Sequence, residues 1–182
     1  MTGSADEPIV IFTIGHSTRS IEEFVALLKH CAIKMVADVR TIPNSRYNPQ
    51  FNSDTLPGSL TSEGIGYIHL AGLGGLRHAH TGSLNMGWRN ASFRGFADYM
   101  QTRGFRTSLD QLIELPHDHT VAIMCAEAVP WRCHRSLIAD ALLVRNINVQ
   151  EIIGIENVKT HTLTPWAKTN GDEITYPVSV SQ

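Results

Sequence analysis

The stretch Met124-Cys125-Ala126-Glu127-Ala128-Val129-Pro130-Trp131-Arg132-Cys133-His134-Arg135 gathers two thiols, a carboxylate, an imidazole and two guanidinium groups. The apolar run from Thr120 to Met124 predicts a buried strand, so Cys125 stands where that strand meets a loop. A helix is predicted to follow over Cys133–Val144. Its first turn would offer unpaired backbone N–H groups and the positive end of the helix dipole, which lower a thiol pKa and hold an anion. Arg132 and Arg135 would add charge to the same neighbourhood. Thiol-dependent phosphatases and sulfur transferases share this strand–Cys–loop–helix layout, which makes Cys125 the candidate nucleophile of a hydrolase or transferase. Glu127 departs from a phosphate cradle, where glycine would replace a carboxylate, and is a candidate general base. A plainer reading stands beside this one: cysteine in a buried strand often serves only as a small hydrophobe.

The same residues are metal-ligand types. Cys125, Cys133 and His134, with Glu127, suit a transition-metal ion, and His16 or His69 would complete a shell. Their Cys-x7-Cys-His spacing matches no common zinc knuckle, and adjacent side chains on a helix point about 100° apart. The sequence requires no cofactor and leaves the metal content open.

These groups need a scaffold. Ile9–Ile14 predicts a buried strand ending in Gly15-His16-Ser17, and Ser20 with Glu23 caps a helix that carries Phe24, Leu27, Leu28 and Cys31 on one face. Met35–Ala37 is a second strand leading into Asp38-Val39-Arg40, which completes a βαβ unit. Thr41–Leu60, with Pro43, Pro49 and Pro57, reads as an irregular excursion with a short helix near Thr55. Ile65–His69 is a third strand. The glycines of Gly72-Leu73-Gly74-Gly75 lack a dinucleotide fingerprint and suit a backbone passing close to a site. Helices over Phe93–Met100 and Phe105–Leu115 precede the strand ending at Cys125, and Val149–Ile153 is the last strand.

That alternation predicts an α/β fold: a single three-layer domain over residues 1–182, with a mostly parallel sheet of about five strands, helices on both faces and long irregular loops. Residues 1–8 are expected to be flexible. In such sheets ligands bind beyond the carboxyl ends of the strands, where the sequence puts His16, Asp38 with Arg40, His69 and Cys125. One pocket is therefore expected, with His16 or His69 shuttling a proton and Asp38 or Glu127 as general base. Arg40, Ser45, Arg46 and Arg135 would hold the substrate. Asp38 and Arg40 lie one residue apart, so in extended backbone they point to the same side. Asp38 is expected to turn the Arg40 fork toward the pocket for a bidentate grip on an anion.

The ordered motifs also carry a resemblance. Thr13-Ile14-Gly15-His16-Ser17, Asp38-Val39-Arg40 with Ser45-Arg46, Tyr67-Ile68-His69 with Leu73-Gly74-Gly75, Met124-Cys125-Ala126-Glu127, and Cys133-His134-Arg135 resemble the domain-of-unknown-function 488 family. Thr164-Pro165-Trp166-Ala167 and Ile174-Thr175-Tyr176-Pro177 are similar to that family's ending. The resemblance covers nearly the whole chain. It implies a compact α/β domain and leaves the reaction unassigned.

Composition narrows the field. The chain has 182 residues, is 42% hydrophobic and carries a formal charge of −2, which excludes global disorder and a bulk basic field for nucleic acid. Arg outnumbers Lys eleven to four, with seven of the eleven between Arg77 and Arg135, which favours a local anion site. Three cysteines do not make a disulfide framework, no apolar run is long enough to span a bilayer, and Met1 to Pro8 lacks the features of a secretory signal. A cytoplasmic location without membrane contact is expected. The leading expectation is an enzyme acting on a small anionic or nucleotide-like substrate, such as a modified base in nucleic acid. The alternative is a metal- or nucleic-acid-binding module without turnover, with Arg40, Arg46, Arg77, Arg89 and Arg94 interleaved with Tyr47, Phe51, Trp88 and Phe93.

Overall fold

A computed structural model describes residues 8–179, and the expectation about the N-terminal segment falls, for residues 1–7, outside the described residues. Eight strands are present among them: β1 (Val10–Gly15), β2 (Met35–Asp38), β3 (Gly66–His69), β4 (Val121–Cys125), β5 (Asn148–Gly154), β6 (Asn157–Thr160), β7 (Lys168–Asn170) and β8 (Glu173–Thr175). The helices are α1 (Ile21–His30), α2 (Leu56–Thr61), α3 (Ala91–Tyr99), α4 (Arg103–Glu114) and α5 (Arg135–Leu143). Six strands form one sheet in the order β3-β2-β4-β1-β5-β6, parallel except for β6, and β7 pairs with β8 as a separate ribbon. The fold is α/β, with one strand more in the main sheet than the expected five. β6 is exposed along its whole length and polar, so hydrophobic periodicity gave it no signal.

The layering follows from crossover direction. β1 and β2 hand the chain toward the β3 edge, whereas β3 and β4 hand it back toward β5. Right-handed crossovers running in opposite directions place their helices on opposite faces. Accordingly α1 and α2 bury Phe24, Leu27, Leu28, Leu56 and Leu60 against Ile14, Val36, Ala122 and Met124. On the other face α3, α4 and α5 bury Phe96, Phe105, Leu109, Leu137 and Ile138 against Ile11, Ala37, Val121 and Ile123. β4 is buried at every position because it feeds both layers in alternation.

Local signals set the helix starts. Ser20 accepts from the Glu23 amide while the Glu23 carboxylate accepts from the Ser20 amide, a complete capping box. Thr102 caps α4 and Asn90 caps α3. α5 differs from its expectation. Pro130–Arg132 form a 3-10 turn, Cys133 is extended, and the helix begins only at Arg135. Pro130 cannot sit inside a helix, and the Cys133 sulfur, not a hydroxyl, accepts the Arg135 amide at 3.5 Å. Among the described residues no helix is long and apolar enough to cross a membrane.

Candidate active site

The loops after β1, β2 and β4 enclose a cleft of about 740 Å³ at the carboxyl end of the sheet. β1 and β4 are neighbours whose connections leave on opposite faces, and a crevice opens where such connections diverge. The register pairs Gly15 with Cys125, which sets the first loop directly against the second. Contact is so close that a β-carbon on Gly15 would lie 1.8 Å from the Glu127 carbonyl oxygen. The next turn needs Ser17 in left-handed backbone (φ 49°), a strained conformation for a side chain that lines the cleft.

Cys125 lies on the cleft wall, buried but facing it. Arg135, wholly buried, donates from Nη1 to the Cys125 sulfur at 2.7 Å and to the Glu127 carbonyl, and from Nη2 to the Ala128 carbonyl at 3.1 Å. Burial alone would raise the Cys125 pKa. A hydrogen bond from the Cys133 thiol and the adjacent Arg135 charge outweigh it and hold Cys125 down to about 7. The same Cys133–Cys125 hydrogen bond, reinforced by burial, keeps the Cys133 thiol protonated well above its ordinary range. Thus Arg135, expected to hold substrate, instead faces the sulfur and the loop carbonyls and does not line the cleft.

His134 lies on the cleft wall beside Cys133. Its Nε2 donates to the Val39 carbonyl at 3.0 Å, which leaves the Nδ1 lone pair 3.6 Å from the Cys133 sulfur. Burial, with the charges of Arg135 and Arg77, pulls its pKa down to about 4, so the ring is neutral at physiological pH. Gly75 passes against this ring, and a β-carbon there would come within 2.6 Å of Nδ1. That is the close backbone approach expected of the glycine-rich segment.

His16 and Arg40 form the opposite wall. Arg40 is clamped from behind: Nε donates to Asp38 Oδ1 at 2.9 Å, Nη2 to Asp38 Oδ2 at 2.7 Å, and Nη2 also to the Phe51 carbonyl at 2.6 Å. Nη1 donates to His16 Nε2 at 3.2 Å. The fork is therefore spent on Asp38, and one Nη1 hydrogen is left to face the cleft. A bidentate grip on an anion is not available, contrary to expectation. Asp38 itself is fully buried, accepts from Tyr67 as well, and does not line the cleft, so it is a positioning group and not an accessible base.

His16 lines the cleft but its nitrogens are both engaged, Nδ1 donating to the Ser17 carbonyl at 2.8 Å and Nε2 accepting from Arg40. Burial pulls its pKa down to about 4, and its ring stacks on Phe51 at 4.3 Å. A proton shuttle needs a free lone pair, which His16 lacks while Arg40 holds it.

Of the remaining site residues expected from sequence, Ser45 and Glu127 line the cleft, whereas His69 and Arg46 do not. His69 ends β3 at the sheet edge, exposed, with Nε2 donating to the Arg40 carbonyl at 2.7 Å. Arg46 is exposed beyond the rim. The metal arrangement is also not formed. Among the described residues no group of three or more His, Cys, Asp and Glu is placed to hold an ion. Thr41, Asn44, Asn48, Asn90 and Ser92 add polar groups to the cleft lining. The first three lie in an irregular segment where no sequence period marks them, and the last two stand at the start of α3.

No curated protein and no solved structure matches the chain. The model described as "Domain of unknown function DUF488" matches residues 20–142, which span Asp38–Arg40, Cys125 and Cys133–Arg135 while leaving His16 just outside. With two thirds of its length matched, and the thiol centre within the match, the chain belongs to the DUF488 family.

Proposed function

We propose that the protein is an enzyme that uses the Cys125 thiolate as nucleophile on a small anionic or nucleotide-like substrate held in the cleft. The observation that carries this reading is the wholly buried Arg135 guanidinium aimed at the Cys125 sulfur from 2.7 Å. Burying a charge costs several kcal/mol unless it is paired, and a thiolate is the partner that offsets that cost here. The cleft volume lies within the range of small-molecule sites, about 300–1,000 Å³. In the reaction Cys125 attacks an electrophilic centre, the free Arg40 Nη1 hydrogen and Arg132 face developing negative charge, and Glu127 is the carboxylate on the cleft rim available to move a proton. Alkylation by iodoacetamide, followed against pH by peptide mass spectrometry, tests the thiolate. Cys125 is expected to reach half-maximal rate near pH 7, and Arg135→Met to move that midpoint upward. A wild-type midpoint at or above about 8.5, the free-thiol value, removes the nucleophile.

A second reading has its own support. Trp88, Phe93, Trp131 and Trp166, with Arg89 and Arg132, line a groove that shares Asn90, Phe93, Glu127 and Arg132 with the cleft. Exposed Trp131 is a stacking platform for a base, and arginines beside it suit phosphate. Other members of the expected set serve elsewhere: Arg77 stacks on Tyr99, Arg94 donates to the Trp88 carbonyl, and Phe51 is buried. Single-stranded oligonucleotide binding that weakens steeply with salt supports this groove, and binding indifferent to salt rejects it.

A further inference from the structure

The cleft wall carries two thiols. The 126–132 loop doubles back so that Arg135 holds both sulfurs, Nη1 donating to Cys125 at 2.7 Å and the backbone amide donating to Cys133 at 3.5 Å. Cys133 and Cys125 stand close enough for each to shift the titration of the other, and both residues line the cleft. Neither cysteine is in a disulfide. On the far side of Cys133, the His134 Nδ1 lone pair stands 3.6 Å from its sulfur, with the tautomer set by the Nε2–H bond to Val39. Nucleophile, second thiol and proton acceptor therefore line the same cleft.

We propose that Cys133 is a resolving thiol, and that the pair Cys125–Cys133 reduces a small organic disulfide bound in the cleft. The proposal rests on Cys125 being the cleft nucleophile. In the first step the Cys125 thiolate attacks one sulfur of the disulfide R–S–S–R. A Cys125–S–S–R bond forms, the R–S–S–R bond breaks, and one R–S⁻ leaves and takes a proton from solvent. In the second step Cys133 gives its proton to His134 Nδ1 and attacks the Cys125 sulfur. The Cys125–Cys133 bond forms, the bond to R breaks, and the second R–S⁻ takes up that proton. The substrate disulfide is reduced to two thiols, the protein dithiol is oxidised to a disulfide, and an external thiol reductant restores it.

The order of attack follows from the charges. In the resting site Cys125, held down to about 7, is the first of the two thiols to ionise, and its proximity and charge hold the proton on Cys133. Once Cys125 is in a mixed disulfide that negative charge is gone, while the Arg135 guanidinium stays. The largest influence opposing ionisation of Cys133 is removed, burial is unchanged and the favouring Arg135 charge remains, so the second thiol ionises more readily once the first has reacted. The free Arg40 hydrogen, Arg132, Asn44 and Asn48 face the cleft where the carboxylates and amides of a cysteine-containing peptide disulfide would lie.

The test incubates the reduced full-length protein with glutathione disulfide and reads intact mass and cysteine-linked peptides. Wild type is expected to lose two hydrogens, yield a linked Cys125–Cys133 peptide and accumulate no glutathione adduct. Cys133→Ser is expected to stop at one adduct per chain on Cys125, and Cys125→Ser to form neither product. A wild-type adduct that persists on Cys125 without the linked peptide overturns the resolving role and leaves the nucleophile standing. Iodoacetamide labelling of Cys125 with neither adduct nor linked peptide from wild type overturns the disulfide as substrate class. Failure of wild-type Cys125 to label overturns the nucleophile reading itself. The wild-type measurement decides the matter even where a variant does not fold.

Discussion

At the scale of single residues, Arg40 shows how burial turns a candidate ligand group into a structural one. Its guanidinium makes two bonds to Asp38, one to the Phe51 carbonyl and one to His16, all buried. Lysine keeps the charge but has no planar fork, so Arg40→Lys leaves Asp38 and the Phe51 carbonyl short of donors. Hydrogen bonds to charged groups contribute about 1.5–3 kcal/mol each. The substitution is expected to lower stability by at least ~2 kcal/mol, read as a shifted denaturant midpoint at unchanged slope. A midpoint equal to wild type would show that the Asp38–Arg40 pair carries no stability. From sequence the pair is visible, because one-residue spacing in extended backbone points both side chains one way. Which face of the fork is spent is not visible, since Phe51 comes from an excursion whose path no local pattern sets. His16 and His134 differ for the same reason. Both are histidines lining the cleft with pKa values pulled down by burial, yet the partners of each ring decide that His134 keeps a lone pair and His16 does not.

At the scale of elements, the β1–turn and the β4–loop form a matched pair held by a steric condition. Gly15 lies against the Glu127 carbonyl, and that carbonyl is one of the acceptors that fix Arg135. A methyl group at position 15 must push the 126–128 backbone away, which moves Arg135 off the Cys125 sulfur. Gly15→Ala is expected to raise the alkylation midpoint of Cys125 and to lower the melting temperature together. Ser20→Ala is the matched control: it removes the capping box of α1 at a cost of ~1 kcal/mol and leaves the Cys125 midpoint in place. A Gly15→Ala protein with wild-type thiol reactivity would show that the loop tolerates displacement. β1 and β4 are the most legible strands of the parallel core because each is a short, largely buried apolar run, whereas β3 has no buried residue and is marked only by Tyr67 and Ile68 between turn signals. The start of α5 was not. Hydrophobic periodicity reaches back to Cys133, but Pro130 and the 3-10 turn precede a helix that begins only at Arg135, whose backbone amide meets the Cys133 sulfur while its guanidinium meets Cys125.

At the scale of the whole molecule, the segment after β6 is tied to the α5 layer by a buried charged cluster. His161 donates from Nε2 to Asp140 at 2.8 Å and from Nδ1 to Glu151 at 2.7 Å, while Tyr176 donates to the other Asp140 oxygen at 2.8 Å. Two ring donors require the imidazolium form. Burial opposes that charge, but the hydrogen bonds to Asp140 and Glu151 overcome it and raise the His161 pKa from 6.5 to about 9. A group whose pKa is raised on folding stabilises fully below its unfolded value and loses that contribution as pH climbs through the folded one. The stabilisation is thus complete below about pH 6.5 and lost by about pH 9, and at about 1.4 kcal/mol per pH unit it is on the order of 3–4 kcal/mol. Cys125 works in the opposite direction. Its depressed pKa contributes stability that is present above the free-thiol range and lost as pH falls through about 7. The wild-type profile therefore mixes two opposed slopes, and the His161 contribution must be read as a difference. Unfolding free energies of wild type and His161→Gln, measured from pH 6 to 10, are expected to differ by a constant amount below pH 6.5 and to converge steadily toward pH 9. A difference that stays flat across that window would show that His161 is not held as the imidazolium, and that neutral packing joins the C-terminal segment to α5.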